Sequence, residues 1–340
     1  MSWWICSTEK YKEWNLAYSS CMNVLVTGGA GFIGSHLTDR LVVDGHQVTV
    51  LDNFSTGARA NLSHLENSPH VEIIEGTILD VELINKLVSQ SEYVFHLAAA
   101  VGVFNIVNHP LDSLVTNIKG TENILEAAMA NLTPVFVTSS SEVYGKNVSD
   151  SLSETDDRIL GSPTTLRWSY SEAKAIDESL AFAYFVEKKL PTRIVRFFNT
   201  VGPRQLGNYG MVVPRLVKFA LANEPLTIYG TGEQTRCFAH VYDVVDAVLS
   251  VAFNENTVGK VINIGNNFEI SMNDLAKKII SQTDSKSQIT HVSYDDAYGQ
   301  GFEDMERRVP NISLIKSLTG WEPKRDLTTI IDDISAEMRK

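Results

Sequence analysis

Cysteine is scarce: the 340-residue chain holds three, Cys6, Cys21 and Cys237, far apart and in no C-x-x-C pair. Neither a disulfide framework nor a zinc cluster is built that way, and the usage fits a reducing, cytoplasmic setting. Long apolar runs are missing as well. No stretch reaches the roughly 18 residues that a membrane-spanning helix needs, and the start, MSWWICSTEKYKEW, lacks the basic flank and apolar segment of a secretory signal. Positive charge is in deficit, 29 Lys and Arg against 41 Asp and Glu, for a formal charge of −12. That balance argues against a nucleic-acid partner and leaves room for a local cationic pocket around one small anion. There is no internal repeat, no low-complexity tract and no G-x-S-x-G elbow, so the serine-rich run TSSSEVYG is not read as a hydrolase site. His96 and His240 have no partners at ligand spacing, and they read as core or cap histidines rather than as metal ligands.

What is present is ordinary globular composition, 44% hydrophobic and 21% charged, enough for one large or two unequal domains. Short β-branched runs, NVLVTG (23–28), QVTVLD (47–52), VEIIEG (71–76), YVFHLA (93–98), PVFVTS (134–139) and TRIVRFFN (192–199), alternate with amphipathic helical stretches. This alternation predicts βαβ units and an α/β, doubly wound parallel sheet. After about residue 200 Gly and Pro break the rhythm, in VGPRQLGNYGMVVPRL, and short mixed elements follow. The expected organisation is a leader over 1–21 that is accessory or a misassigned start, a dinucleotide-binding domain over 22–200, and a smaller, discontinuous substrate lobe mainly over 201–340. The acidic stretch 151–160 reads as a solvated loop.

TGGAGFIG sets Gly28, Gly31 and Gly34 three apart between a strand and a helix. A tight turn, a close approach to pyrophosphate and close helix packing exclude side chains there. Asp52 ends the next strand 18 residues after Gly34, where a carboxylate accepts from ribose hydroxyls and repels a 2′-phosphate. A Rossmann-type site for NAD rather than NADP follows, with Arg59 the one residue speaking for NADP. Further on, Y170-S-E-A-K174 puts Tyr170 and Lys174 four apart on one helix face. The ammonium is expected to hold the phenol near the cofactor and favour the phenolate, which a base working near neutrality requires.

Taken together, TGGAGFIGSHL, LDNFSTG, HLAA, TNIKGT, SSSEVYG, YSEAK, RFFNTVGPR, YGTGEQTRCFAHVYDVVDAV and GWEP resemble the extended short-chain dehydrogenase/reductases, specifically their NAD-dependent nucleotide-sugar epimerases, decarboxylases and dehydratases, over about residues 22–338. The resemblance implies oxidation of a sugar at C4 by tightly held NAD, which is recycled. It implies Tyr170 as base, Lys174 as its ribose-binding partner and Ser140 as the hydroxyl on the reacting oxygen. It also implies cofactor contacts at Phe32, Ile33, Asn53, Ile78, Leu97, Ala98 and Asn117, with Asp80 at the adenine. Thr77 departs from the usual aspartate in that segment. Asn199 is expected at the diphosphate, Arg236 and Arg308 at the nucleotide phosphates, Arg204 nearby, and the base along 211–216 including Val213, with uridine favoured. A homodimer through helices near 112–130 and 168–188 is also implied.

The step after oxidation is set by Ser141 and Glu142. A 4,6-dehydratase of this group carries an Asp-Glu pair there, and Ser141 removes the acid that water loss requires. The Ser-Glu arrangement resembles the UDP-glucuronate decarboxylases, with Glu142 placed to orient a carboxylate or manage the C5 proton. Ser313, where some relatives carry a basic residue, and the sequence HLAAAVGVFNI depart from that pattern. A 4-epimerase, which needs only Ser140, Tyr170 and Lys174, stays open beside it.

Overall fold

A computed structural model describes residues 21–102, 108–205, 207, 211–293, 296, 305 and 307–339. The leader expected over 1–21 lies, but for Cys21, outside the described residues. Among those described, seven parallel strands form the main sheet: β1 (Asn23–Thr27), β2 (Gln47–Asp52), β3 (Val71–Glu75), β4 (Tyr93–His96), β5 (Val135–Ser140), β6 (Thr192–Phe197) and β11 (Val261–Ile264). Their spatial order is β11-β6-β5-β4-β1-β2-β3. The order reverses between β1 and β4, and a crevice opens there at the carboxyl ends of the strands.

The strands are continuous apolar runs because helices cover both faces. Helix α1 (Phe32–Val43) and helix α6 (Val241–Ala252) bury Leu37, Leu41, Val244 and Val248 with Val24, Val26 and Phe95 in one core. On the other face α2 (Val81–Ser89), α3 (Pro110–Met129) and α4 (Ser169–Lys188) bury Ile84, Ile124 and Ala181 against Leu25, Val94 and Val137. A third core, including Val213, Leu216, Ile228, Leu275 and Ile331, holds α5 (Val212–Leu221), β8 (Leu226–Tyr229), α7 (Met272–Gln282) and α8 (Leu327–Met338) together.

The boundary expected near residue 200 is crossed by the chain, since β11 and α6 return to the main sheet after the smaller core has begun. Short pairs complete that smaller part: β7 (Thr200–Val201) with β10 (Ala239–His240), β9 (Thr235–Cys237) with β12 (Glu269–Ser271), and β8 with β13 (Ile289–Val292). Among the described residues no helix is long and apolar enough to cross a membrane.

Candidate active site

A cavity of about 710 Å³ lies between the strand ends and the smaller core. Its floor is the glycine turn. Gly28 sits at φ +72, and a Cβ there would meet the backbone of Ala98 and Leu97 at 2.7 to 2.9 Å. A Cβ on Gly34 would strike the Gly28 carbonyl, so α1 can start this close to β1 only as glycine. Asp52 closes the turn from β2: Oδ2 accepts from Ala30 N at 2.9 Å and Oδ1 from Phe54 N at 2.8 Å. Burial raises its carboxyl, against those two N–H groups. Gly28, Gly31, Phe32, Ile33, Gly34, Asp52, Asn53, Ile78, Leu97 and Ala98 all line the cavity. Arg59 is drawn aside to Glu75 and stacks on Phe54, 4.2 Å from the ring.

Two of the remaining cofactor expectations change. Asp80 is exposed and caps α2, its Oδ1 accepting from Leu83 N at 3.0 Å, while Thr77 and Ile78 line the cavity instead. Asn117 is buried behind the wall. Its Oδ1 accepts from Ala100 N at 2.7 Å, so it shapes the loop after β4 that does line the cavity. His96 is a core residue, bridging Thr27 Oγ1 at 2.8 Å and Thr121 Oγ1 at 3.2 Å. Its burial, with Lys174 nearby, lowers the imidazole to about 3 and keeps it neutral.

At the reacting end, β5 delivers Ser140, whose Oγ accepts from Glu142 N at 3.2 Å and so caps the 3-10 turn Ser141–Tyr144. Tyr170 and Lys174 enter from the first turns of α4 and line the same wall. Burial pushes the Tyr170 phenol well above its usual range, and the charges of Glu142 and Asp177 push the same way. The Lys174 ammonium donates to Asp177 Oδ2 at 3.0 Å. Glu142 is gripped from both sides: Arg308 Nη1 lies 2.7 Å from Oε1 and Arg167 Nη1 2.6 Å from Oε2. Burial would raise this carboxyl, but Arg308 and Arg167 outweigh it and hold it at about 2. Arg308 also donates to Ser141 Oγ at 3.3 Å.

The far end of the cavity carries Asn199, Arg204, Arg215, Tyr229, Gln234 and Arg236. Asn199 donates to the Cys237 carbonyl at 3.1 Å, Arg236 to the Thr235 carbonyl at 2.7 Å, and Arg204 pairs with Asp39 at 2.7 Å. Val213 points into the third core rather than the cavity. Arg308, expected among the nucleotide phosphates, has its guanidinium on Glu142 instead. Sequence reasoning missed Arg167 and Arg215. Arg167 stands three residues before Tyr170, on a turn fixed by the fully buried Trp168. Arg215 lies inside the flagged segment MVVPRL and stacks 4.4 Å from the Tyr229 ring.

The family model described as GDP-mannose 4,6 dehydratase matches residues 25–334 of this chain. The chain belongs to that family, within the extended short-chain dehydrogenase/reductases. A UDP-N-acetyl-alpha-D-glucosaminuronate decarboxylase of Bacillus cytotoxicus is 42% identical over 300 residues, 88% of this chain and 92% of the relative. UDP-glucuronic acid decarboxylase 1 of Xenopus tropicalis is 36% identical over 319 residues, 93% of this chain and 72% of its own. A UDP-glucuronic acid 4-epimerase from Bacillus cereus, solved with UDP-glucuronic acid and NAD, superposes with a TM-score of 0.83 at 29% identity, covering 94% of this chain and 99% of its own. Like these dehydrogenase/reductases the protein is an enzyme, and NAD is the family's cofactor. The glycine cradle that a Cβ would fill, with Asp52 at its edge, fits that group.

Proposed function

We propose that the enzyme decarboxylates a UDP-linked uronate, UDP-glucuronate or its N-acetylated amino counterpart, to carbon dioxide and the UDP-linked decarboxylated sugar. The observation that carries this reading is the Arg167–Glu142–Arg308 clamp beside Ser140 and Tyr170. Two guanidiniums around one carboxylate leave a net positive charge in a sheltered wall, and planar forks of that kind suit a second carboxylate. Held by the glycine turn and Asp52, NAD would supply the hydride acceptor for oxidation at the sugar C4 and the donor for the later reduction. Tyr170 takes the C4 hydroxyl proton, and Ser140 hydrogen-bonds the same oxygen. The C6 carboxylate then stands β to a ketone, held by Arg308 and Arg167; loss of carbon dioxide leaves an enolate that faces the same positive charge and takes a proton at C5 from water, after which the C4 carbonyl is reduced and Tyr170 returns its proton to that oxygen. Glu142, ionised far below neutrality, orients the two arginines rather than carrying a proton. Arg236, Arg204 and Asn199 are assigned to the diphosphate, and Arg215 with Tyr229 to the nucleotide end.

Similarity to decarboxylases from two kingdoms supports this over dehydration, for which Ser141 offers no acid. Likeness to the Bacillus cereus epimerase favours 4-epimerisation as the second reading. Product NMR and mass spectrometry after incubation with UDP-glucuronate and UDP-N-acetylglucosaminuronate decide between them. Carbon dioxide with a decarboxylated UDP-sugar is expected, whereas a retained carboxylate with inverted C4 establishes epimerisation. We further assign a homodimer paired through α3 and α4. Its support is the apolar surface these helices expose, with Leu111 at 70% and Phe182 at 48%.

A further inference from the structure

Asp177 is used by none of the chemistry above. It sits on α4 three residues after Lys174 and seven after Tyr170, with a side chain that is 0% exposed. Positions i and i+3 share a helix face, so the backbone itself presents this carboxylate to Lys174. A buried carboxylate is tolerated only with a cation or several donors, and here the Lys174 ammonium supplies the charge at 3.0 Å.

The surroundings offer little else to either member. Glu178, the next residue, is committed to Arg196 at 2.7 Å. From α3, Thr121 stands beside Asp177 and also meets His96, the neutral ring at the end of β4. From the turn after β5, Glu142 faces Tyr170 but is held by Arg167 and Arg308. Lys174 and Asp177 therefore form a pair of zero net charge on the helix face that Tyr170 shares, four and seven residues after it. A free ammonium one helical turn away favours phenolate strongly, and a compensated one much less.

We propose that Asp177 is a positioning residue that anchors the Lys174 ammonium and restrains the ionisation of Tyr170, setting the pH at which this phenol becomes a base. The inference rests on Tyr170 as the base of the proposed reaction. Its test is a titration of the NAD-bound protein labelled with ¹³C at tyrosine Cζ, followed by NMR, with the Tyr170 signal assigned by its loss in Tyr170→Phe.

Asp177→Asn keeps the shape and removes the charge. The Tyr170 midpoint is expected to fall by about one pH unit, a tenfold gain in acidity, and the acid limb of the pH–kcat profile to move with it. Asp177→Glu, which keeps the charge, is expected to return both toward the parent. An unchanged midpoint in folded Asp177→Asn, or no Tyr170 midpoint in either form within the stable pH range, overturns the proposal. If Asp177→Asn does not fold by circular dichroism, Asp177→Ser is read the same way, and loss of fold in both makes Asp177 a folding counter-ion and ends the proposal. The titration needs no turnover, so its outcome is separate from that of the product assay.

Discussion

Glu142 meets two guanidiniums at 2.6 and 2.7 Å while only 16% of its side chain is exposed, and at that spot charge decides against burial. Replacing it by glutamine removes the attraction and leaves two buried cations facing each other. Breaking such a pair by one partner typically costs about 3–5 kcal/mol. Glu142→Gln is expected to lower the melting temperature and to slow carbon dioxide release by about a hundredfold or more, read by thermal unfolding and by gas or product assay. A variant with full decarboxylase activity would remove Glu142 from the arrangement. The residue was legible in the sequence as the odd carboxylate among hydroxyls. Its partners were not, because Arg308 lies 166 residues away in the chain and no local pattern announces so distant a contact.

At the scale of elements, α4 does two jobs with two faces. Tyr170 and Lys174 line the cavity, whereas Ile176, Phe182 and Val186 are 42 to 48% exposed on the outside, near the exposed Leu111 and Val115 of the neighbouring α3. Exposed apolar side chains on two packed helices are what support the interface proposed above. If the proposed dimer forms through these helices, Phe182→Asp is expected to give monomers in analytical ultracentrifugation with circular dichroism unchanged, and a monomeric parent would contradict the assignment of the interface.

Six of the seven main-sheet strands were readable from their β-branched runs, with ends that differ by one or two residues: β5 begins at Val135 rather than Pro134, and β4 stops at His96 rather than Ala98, whereas β11 was hidden among the mixed elements after residue 200. Asp80 shows where reading by pattern fails. An aspartate just before an apolar helix is an N-cap signal as much as a ligand signal, and the helix claims it. The Val213 side chain likewise serves the fold: MVVPRL starts an amphipathic helix, and the periodicity that carries Arg215 to the cavity carries Val213 into the core, which leaves only its backbone for the expected base contact.

For the molecule as a whole, acid stability follows from its buried histidines. Burial lowers His96 to about 3 and His36 to about 4, both below the 6.5 of the unfolded chain. The unfolded state therefore binds more protons below pH 6.5, and stability declines as pH falls from there toward 4 and then 3. Glu142, depressed from 4.5 to about 2, adds a second loss of the same sign between those values. Denaturant midpoints are expected to drop steadily from pH 6.5 to 4, and His36→Gln to flatten that slope. A slope identical in parent and variant would exclude His36 as a contributor.

Arg308 stands on a segment laced to the loop after β5, where Leu152 N donates to the Val309 carbonyl and Asn311 N to that of Leu152, each at 2.8 Å. It is thus firmly placed, yet it lies far along the chain from the other residues of the site. The glycine turn, Asp52, Ser140, Tyr170 and Lys174 all precede it by well over a hundred residues. Synthesis runs from the N-terminus, so a growing chain holds the glycine turn, Ser140, Tyr170 and Lys174 before it owns the second guanidinium of the clamp, while the main sheet itself waits for β11. A cut between Lys174 and Arg308 therefore separates the proposed base from one of the two guanidiniums that grip Glu142, and the two backbone bonds around Leu152 help to hold them together across the chain.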